Sequence, residues 1–325
     1  MTVTISFFNN KGGVGKTTFL FHIAHRVAEL GKTVLMVDCD SQCNLTSYSL
    51  SESAIDQAWK PDGNSIYRQI EPVYKTTGDI RNRAATHLGG RLHIIPGDLS
   101  LSEFEDRLGD SWNSAKGGDE AALRAQSAIH RVIRQAAEKA KADVVLLDLG
   151  PNLGATNRAV LAGSDYLISP VSPDLFSIRG TENLGNKLVT WRREWDQCLG
   201  AWRGNGLDIP KGKPKFIGYV TQQHNLRNNS AGMTKGWQIF GNQVEQAIQT
   251  NIVSKLTSLN QVVTAPSYNL GMIPNLHSLV PYSQDARKPV FHCTSSDGLK
   301  GAHIASARDS RRLFDPVADI IVSMA

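Results

Sequence analysis

The stretch Lys11-Gly12-Gly13-Val14-Gly15-Lys16-Thr17-Thr18 follows an apolar run (Val3, Ile5, Phe7, Phe8) and precedes a segment with helical apolar spacing. A strand that turns through glycines into a helix N-terminus meets the needs of a polyphosphate. The glycines let backbone N–H groups crowd round its oxygens, and the helix end presents partial positive charge. Gly12, Gly13 and Gly15 supply the turn, and Val14 and Thr18 complete the loop backbone. Lys16 is then placed to neutralise β- and γ-phosphate oxygens, and the Thr17 hydroxyl to ligate Mg²⁺. The expected ligands are ATP and Mg²⁺. The expected fold class is α/β, a mostly parallel sheet flanked by helices, of the P-loop NTPase type.

The ordinary phosphate-loop pattern, G-x-x-x-x-G-K-[ST], is not met, because its first glycine falls on Asn10. Instead an extra lysine, Lys11, stands inside the loop. The form K-G-G-x-G-K-T resembles the deviant Walker A motif of the ParA/MinD superfamily, closest to the ParA-type partition and positioning ATPases. That resemblance implies an ATP-dependent homodimer in which Lys11 reaches the partner's phosphates.

Two further segments stand at strand ends, where ligands of open α/β sheets sit. The run V-D-C-D-S-Q-C-N beginning at Val37 is similar to the V-D-x-D-P-Q-G-N segment of ParA proteins, with Ser41 in place of proline and Cys43 in place of glycine. The likeness implies that Asp40 orients or activates the attacking water and that Asp38 lies nearer the magnesium shell. The alternative is that both acids cap the next helix. The run V-V-L-L-D-L-G-P beginning at Val144 ends four apolar residues in Asp148, the form of a Walker B strand, whose carboxylate suits a Mg²⁺-bound water. Thr17, Asp38 and Asp148 are thus the expected metal-side residues, with Lys11, Lys16 and Asp40 the catalytic ones. By the same resemblance Pro274 packs on adenine and Gln222 or Gln223 bonds its edge.

The alternation of apolar runs and helical patterns continues along the chain. Strands are expected at 33–37, 92–95, 144–147, 166–171, 216–220 and 270–273, and helices at 121–141, 181–199, 238–256 and 314–324. The polar stretches 51–82 and 109–119 read as irregular insertions in a single domain spanning 1–325. With 41% hydrophobic residues among 325, the chain can fill a sizeable core. No apolar run reaches membrane-span length and no signal-peptide pattern opens the chain, which gives a cytoplasmic expectation, nucleoid-associated if the ParA likeness holds. Cys39, Cys43, Cys198 and Cys293 show no metal-ligand or disulfide spacing.

A net charge of +5 permits attraction to polyanions. Basic residues concentrate at 187–215 and 300–312, and Arg192, Arg193, Arg311 and Arg312 are the expected DNA contacts. Three classes compete on this scaffold. The first is a ParA-like ATPase that binds double-stranded DNA without sequence preference and is stimulated by a ParB-like or cargo-adaptor protein. The second is a MinD-like membrane-cycling ATPase, which needs a basic amphipathic terminal helix, whereas the tail pairs its apolar side with Asp315 and Asp319. The third is a metabolic or iron–sulfur scaffold relative, which needs paired cysteines.

Overall fold

The apolar runs at Ile5, Val34 and Val144 become three neighbouring strands whose side chains are buried on both faces, as in a parallel sheet covered by helices on each side. The computed structural model describes residues 2–224, 235–276 and 278–325. The first half of the chain runs β1 (Val3–Phe7), α1 (Lys16–Glu29), β2 (Val34–Cys39), α2 (Asn44–Ser49), α3 (Glu52–Trp59), α4 (Ile66–Tyr74), β3 (Thr86–Gly89), β4 (Leu92–Ile95) and α5 (Leu101–Asp110). It continues through α6 (Trp112–Lys116), α7 (Glu120–Ala140), β5 (Val144–Leu149), α8 (Ala155–Ala162), β6 (Tyr166–Val171), α9 (Leu175–Ala201) and β7 (Lys215–His224). The last part holds α10 (Lys235–Ile248), α11 (Ser254–Thr257), β8 (Asn269–Pro274), α12 (Leu279–Ala286), α13 (Ala302–Asp309) and α14 (Asp315–Met324).

One eight-stranded sheet has the order β3-β4-β2-β5-β1-β6-β7-β8, parallel throughout except for the edge hairpin β3/β4. The order reverses at β1. The chain first builds outward through β2 on one side, then crosses from β5 over β1 to β6 on the other. Ligands of such sheets bind outside the strand ends at this reversal, and the loop after β1 opens there.

Two apolar cores lie on the two faces. One face carries α4, α5, α7, α8 and α9, with Phe8, Ile70, Phe104, Leu147 and Leu184 among its buried residues. The other carries α1 and α14, with Phe19, Leu20, Ile23, Phe314 and Ile321. The tail helix therefore spends its apolar side on α1: Phe314 stacks on Phe19 and on His22, at ring separations of 6.0 and 5.0 Å. Among the described residues no helix is long and apolar enough to cross a membrane.

The stretches expected to be irregular are helical. Within 51–82, Ser51 and Ser65 cap α3 and α4 by accepting from the N–H of Ala54 and Arg68, and Ile66, Ile70 and Val73 of α4 enter the core. Within 109–119, α6 inserts Trp112, which stacks on Trp195 at 5.9 Å. Polar composition hid three inward residues at helical spacing.

His22 ties the two ends of the chain together. It is fully buried, its Nδ1–H donates to the Thr18 carbonyl over 2.7 Å, and its Nε2 accepts from the Val290 N–H over 2.9 Å. Burial pushes its pKa down to about 4, and only the neutral ring can accept from Val290. The contribution is fully present above the ordinary histidine pKa near 6.5 and is lost as pH falls through about 4. We predict that the stability gap between wild type and His22→Phe, measured by urea denaturation, narrows by up to about 3 kcal/mol between pH 7 and pH 4. A gap that stays constant with pH contradicts this.

Candidate functional site

The loop after β1 is shaped by two glycines in the left-handed region, Gly13 at φ 72° and Gly15 at φ 81°, the second forming the N-cap of α1. A β-carbon is costly in that conformation, which accounts for glycine at both positions. Asn9 anchors the loop: its buried amide donates to the Pro170 carbonyl of β6 over 2.7 Å and its oxygen accepts the Lys11 N–H over 3.0 Å. Lys16, the first residue of α1, is buried, and its ammonium folds back to the Lys11 carbonyl at 3.1 Å. Burial lowers its pKa, and the carboxylates of Asp148 and Asp40 oppose the shift.

Asp148 on β5 and Asp40, just after β2, act on this lysine, and Asp38 on β2 stands beside Asp148. The register of the two strands pairs Asp38 with Asp148, and partners in a parallel ladder project to the same side. Both pKa values are raised, chiefly by burial, and for Asp148 next by the charge of Asp38. The two carboxyls have different uses. Asp38 Oδ2 accepts the Thr46 N–H (2.8 Å) and hydroxyl (2.7 Å), and Oδ1 accepts the Asp40 N–H (3.2 Å). Asp38 thus spends these lone pairs on the first turn of α2 and on the Asp40 N–H. Asp148 Oδ2 accepts the Thr17 hydroxyl over 2.7 Å, whereas Oδ1 is buried with no partner. An orphaned, buried carboxylate oxygen beside a threonine hydroxyl is a donor set that fits Mg²⁺, which takes few protein oxygens and keeps water and phosphate for the rest.

Asp40 stands apart from that pair and faces the cleft, its Oδ1 accepting the Gln42 N–H over 3.0 Å. A β-carbon on Gly150 would lie 3.2 Å from this oxygen, so the turn after β5 closes against Asp40. Cys43, in the place of the family's glycine, sits at φ 55° as the N-cap of α2. The left-handed backbone explains why glycine suits this position; a side chain there costs roughly 1–2 kcal/mol.

The cleft is about 890 Å³ and is lined by residues 12–18, Asp40, Gln42, Asn44, Tyr48, Pro151, Gln284 and Asp285 at the end of α12, and Arg287 just after it. The stretch 273–290, with Arg287-Lys288-Pro289, resembles the family's C-terminal segment near the base, but no site residue was expected on α12 itself. Neither Gln222 nor Pro274 is among the described lining residues. Gln222 is buried in β7 with its Nε2 unpartnered, and Pro274 ends β8. The side chain of Gln223 lies outside the described residues.

Lys11, expected to act only on a partner, is ion-paired within its own chain to Asp174, the N-cap of α9. Of the expected DNA contacts, Arg192 is withdrawn. It is buried, donates to the carbonyls of Lys211 (3.1 Å) and Gly212 (3.0 Å), and pairs with Asp196. Arg193 and Arg312 are exposed, and Arg311 is exposed but paired with Glu29 at 2.9 Å. The four cysteines are buried free thiols, and no cluster of ligands suited to a metal occurs among the described histidine, cysteine and acidic residues.

Comparison with known proteins agrees with this loop and sheet. The family model described as AAA domain (AAA_31) matches residues 2–199. An uncharacterized protein of Methanocaldococcus jannaschii, MJECL24, is 31% identical over 55% of this chain and 62% of its own length. The chromosome-partitioning ATPase Soj of Thermus thermophilus is 29% identical over 55% of this chain and 59% of its own. The matched stretch thus spans less than two thirds of either relative. Among solved structures, protein DIP2308 of Corynebacterium diphtheriae superposes with a TM-score of 0.69 at 27% identity, covering 88% of this chain and 97% of that one. McdA of Cyanothece, solved in complex with ATP, superposes with a TM-score of 0.67 at 14% identity over 99% and 96%, a likeness of fold. With the family model matched over more than half its length, the chain belongs to the ParA/Soj/IncC family of P-loop ATPases.

Proposed function

We propose that this chain is a Mg-ATPase whose nucleotide state sets its dimerisation, and that the ATP dimer binds double-stranded DNA without sequence preference to segregate or place a cargo. The observation that carries the reading is the buried Lys16 held between the loop carbonyl of Lys11 and the carboxylates of Asp148 and Asp40, with a second lysine at the loop mouth. Loop N–H groups and Lys16 hold the phosphates; Thr17 and Asp148 hold the metal, which when bound neutralises phosphate charge. Asp40 orients the attacking water, and Gly150 lets the following turn close on it. Lys11 exchanges Asp174 for the partner's phosphates, which makes dimerisation and ATP occupancy one equilibrium. Turnover is slow and rises when a ParB-like or cargo-adaptor protein binds. Gln222 remains the proposed base-side donor on the strength of its unpartnered amide.

Supporting the DNA-associated reading over the membrane-cycling one, the apolar side of α14 is occupied by α1. Arg193 on α9 and Arg308 and Arg312 at the C-terminal end carry the proposed DNA contacts; Arg308 is 79% exposed and, among the described residues, pairs with its neighbour Asp309, at 3.6 Å.

Asp40→Ala is expected to keep ATP affinity, lose turnover by about a hundredfold or more, and accumulate as a long-lived dimer in size-exclusion chromatography with Mg-ATP. A variant that stays monomeric while the wild type dimerises makes Asp40 structural. For DNA, log affinity should fall against log salt with a slope of roughly −0.9 per phosphate neutralised. Arg193→Glu and, separately, Arg308→Glu with Arg312→Glu should identify the dominant patch in filter binding with ATP. A wild type with no nucleotide-dependent DNA affinity at low salt removes the DNA reading.

A further inference from the structure

We propose that Glu105 is a positioning residue for the turn that closes on Asp40, acting through the N-terminus of α8; this rests on the ATPase reading above. Helix α8 begins at Gly154, which has no side chain to cap it, and the first-turn N–H groups need acceptors. Glu105 supplies both from α5: one carboxylate oxygen accepts the Ala155 N–H and the other the Thr156 N–H, the latter at 2.7 Å. The fit leaves no space, since a β-carbon at Gly154 would lie 2.1 Å from the nearer carboxylate oxygen.

From that helix the connection runs into the site. Asn157, in the same first turn and buried, donates through Nδ2 to the carbonyl of Gly150 (2.9 Å), the carbonyl of Asn152 (2.7 Å) and the Asn152 side chain (2.9 Å). These bonds fix the turn after Asp148. At Gly150 that turn meets Asp40, and the ring of Pro151 lies 3.8 Å from where a β-carbon on Gly12 would stand. Two hydrogen bonds and the first turn of α8 thus connect the carboxylate of Glu105 to Gly150, which packs against the residue assigned to the water.

Helix α5 is itself seated. Leu101, Phe104 and Leu108 bury its inner side, and Arg158 of α8 donates to the Leu108 carbonyl at 3.2 Å while its guanidinium lies 3.6 Å above the Trp112 ring. A capping carboxylate on a firmly held helix sets where α8 starts, and α8 sets where the turn lies. Losing that tie moves the turn but leaves the phosphate loop intact, so chemistry should suffer while binding persists.

The test compares wild type, Glu105→Gln and Gly154→Ala, with Lys16→Ala as the inactive control. Turnover at saturating Mg-ATP, affinity for a fluorescent ATP analogue, and amide hydrogen exchange are measured on each. The expected result is a fall in kcat on the order of tenfold or more, affinity within about twofold of wild type, and faster exchange confined to residues 150–157. Unchanged kcat in Glu105→Gln, or faster exchange spread over the whole chain, overturns the proposal. A wild type without turnover counts against the ATPase reading instead, and the exchange pattern still decides the tie. Should Glu105→Gln fail to fold, Gly154→Ala breaks the same contact from the other side.

Discussion

Two carboxylates are forced side by side in a region closed to water, and the site is organised around that constraint. Strand register places Asp38 opposite Asp148, at a neighbouring-strand spacing near 4.8 Å. If both were ionised, their repulsion would be on the order of 3 kcal/mol at an effective dielectric of about 20. Asp38 is stabilised by three donors, two of them on Thr46 at the start of α2. Asp148 has Thr17 and the nearby charge of Lys16, and one oxygen left over. Ionising Asp148 therefore leaves the point where the phosphate loop, β2 and β5 meet short of positive charge. A polyphosphate brought without a metal would add to the deficit; brought with Mg²⁺ it would relieve it.

The sheet was legible because β2 and β5 are continuous apolar runs that reach an acid, and β1 is an apolar-rich stretch that leads into the glycine loop. The expected strand at 166–171 coincides with β6, and the expected helix at 121–141 differs from α7 by a residue at each end. What escaped shows weak periodicity. The edge strand β3 is four residues long and half exposed, and α8 reads Ala-Thr-Asn-Arg-Ala-Val-Leu-Ala, too rich in small and polar residues to announce a face. The stretches 51–82 and 109–119 are polar enough to pass for loops, although Ile66, Ile70 and Val73 bury one side of a helix.

The candidate site was legible where chemistry sits in a short motif and illegible where it depends on long-range pairing. Lys16, Thr17 and Asp148 are brought together as their order implied. The hydrogen-bond partners of Asp38 were not legible, because a motif position says nothing of which donors fill its lone pairs. Lys11 pairs with Asp174, 163 residues away, and Glu105 reaches α8 across 50 residues; no spacing rule finds either. Arg192 was counted as surface charge, yet it stands between Trp191 and Trp195 on α9 and is consumed by carbonyls and Asp196. A count of basic residues cannot distinguish a solvated guanidinium from a structural one.

The charge deficit is the central claim, and it is most directly tested by thermal melting with ATP in the presence of Mg²⁺ or of a chelator, for wild type and Asp148→Asn. The account predicts a melting temperature raised clearly more by Mg-ATP than by ATP with chelator in the wild type, and a difference that collapses in Asp148→Asn. Equal stabilisation with and without magnesium, or a magnesium effect that survives the loss of Asp148, would contradict it.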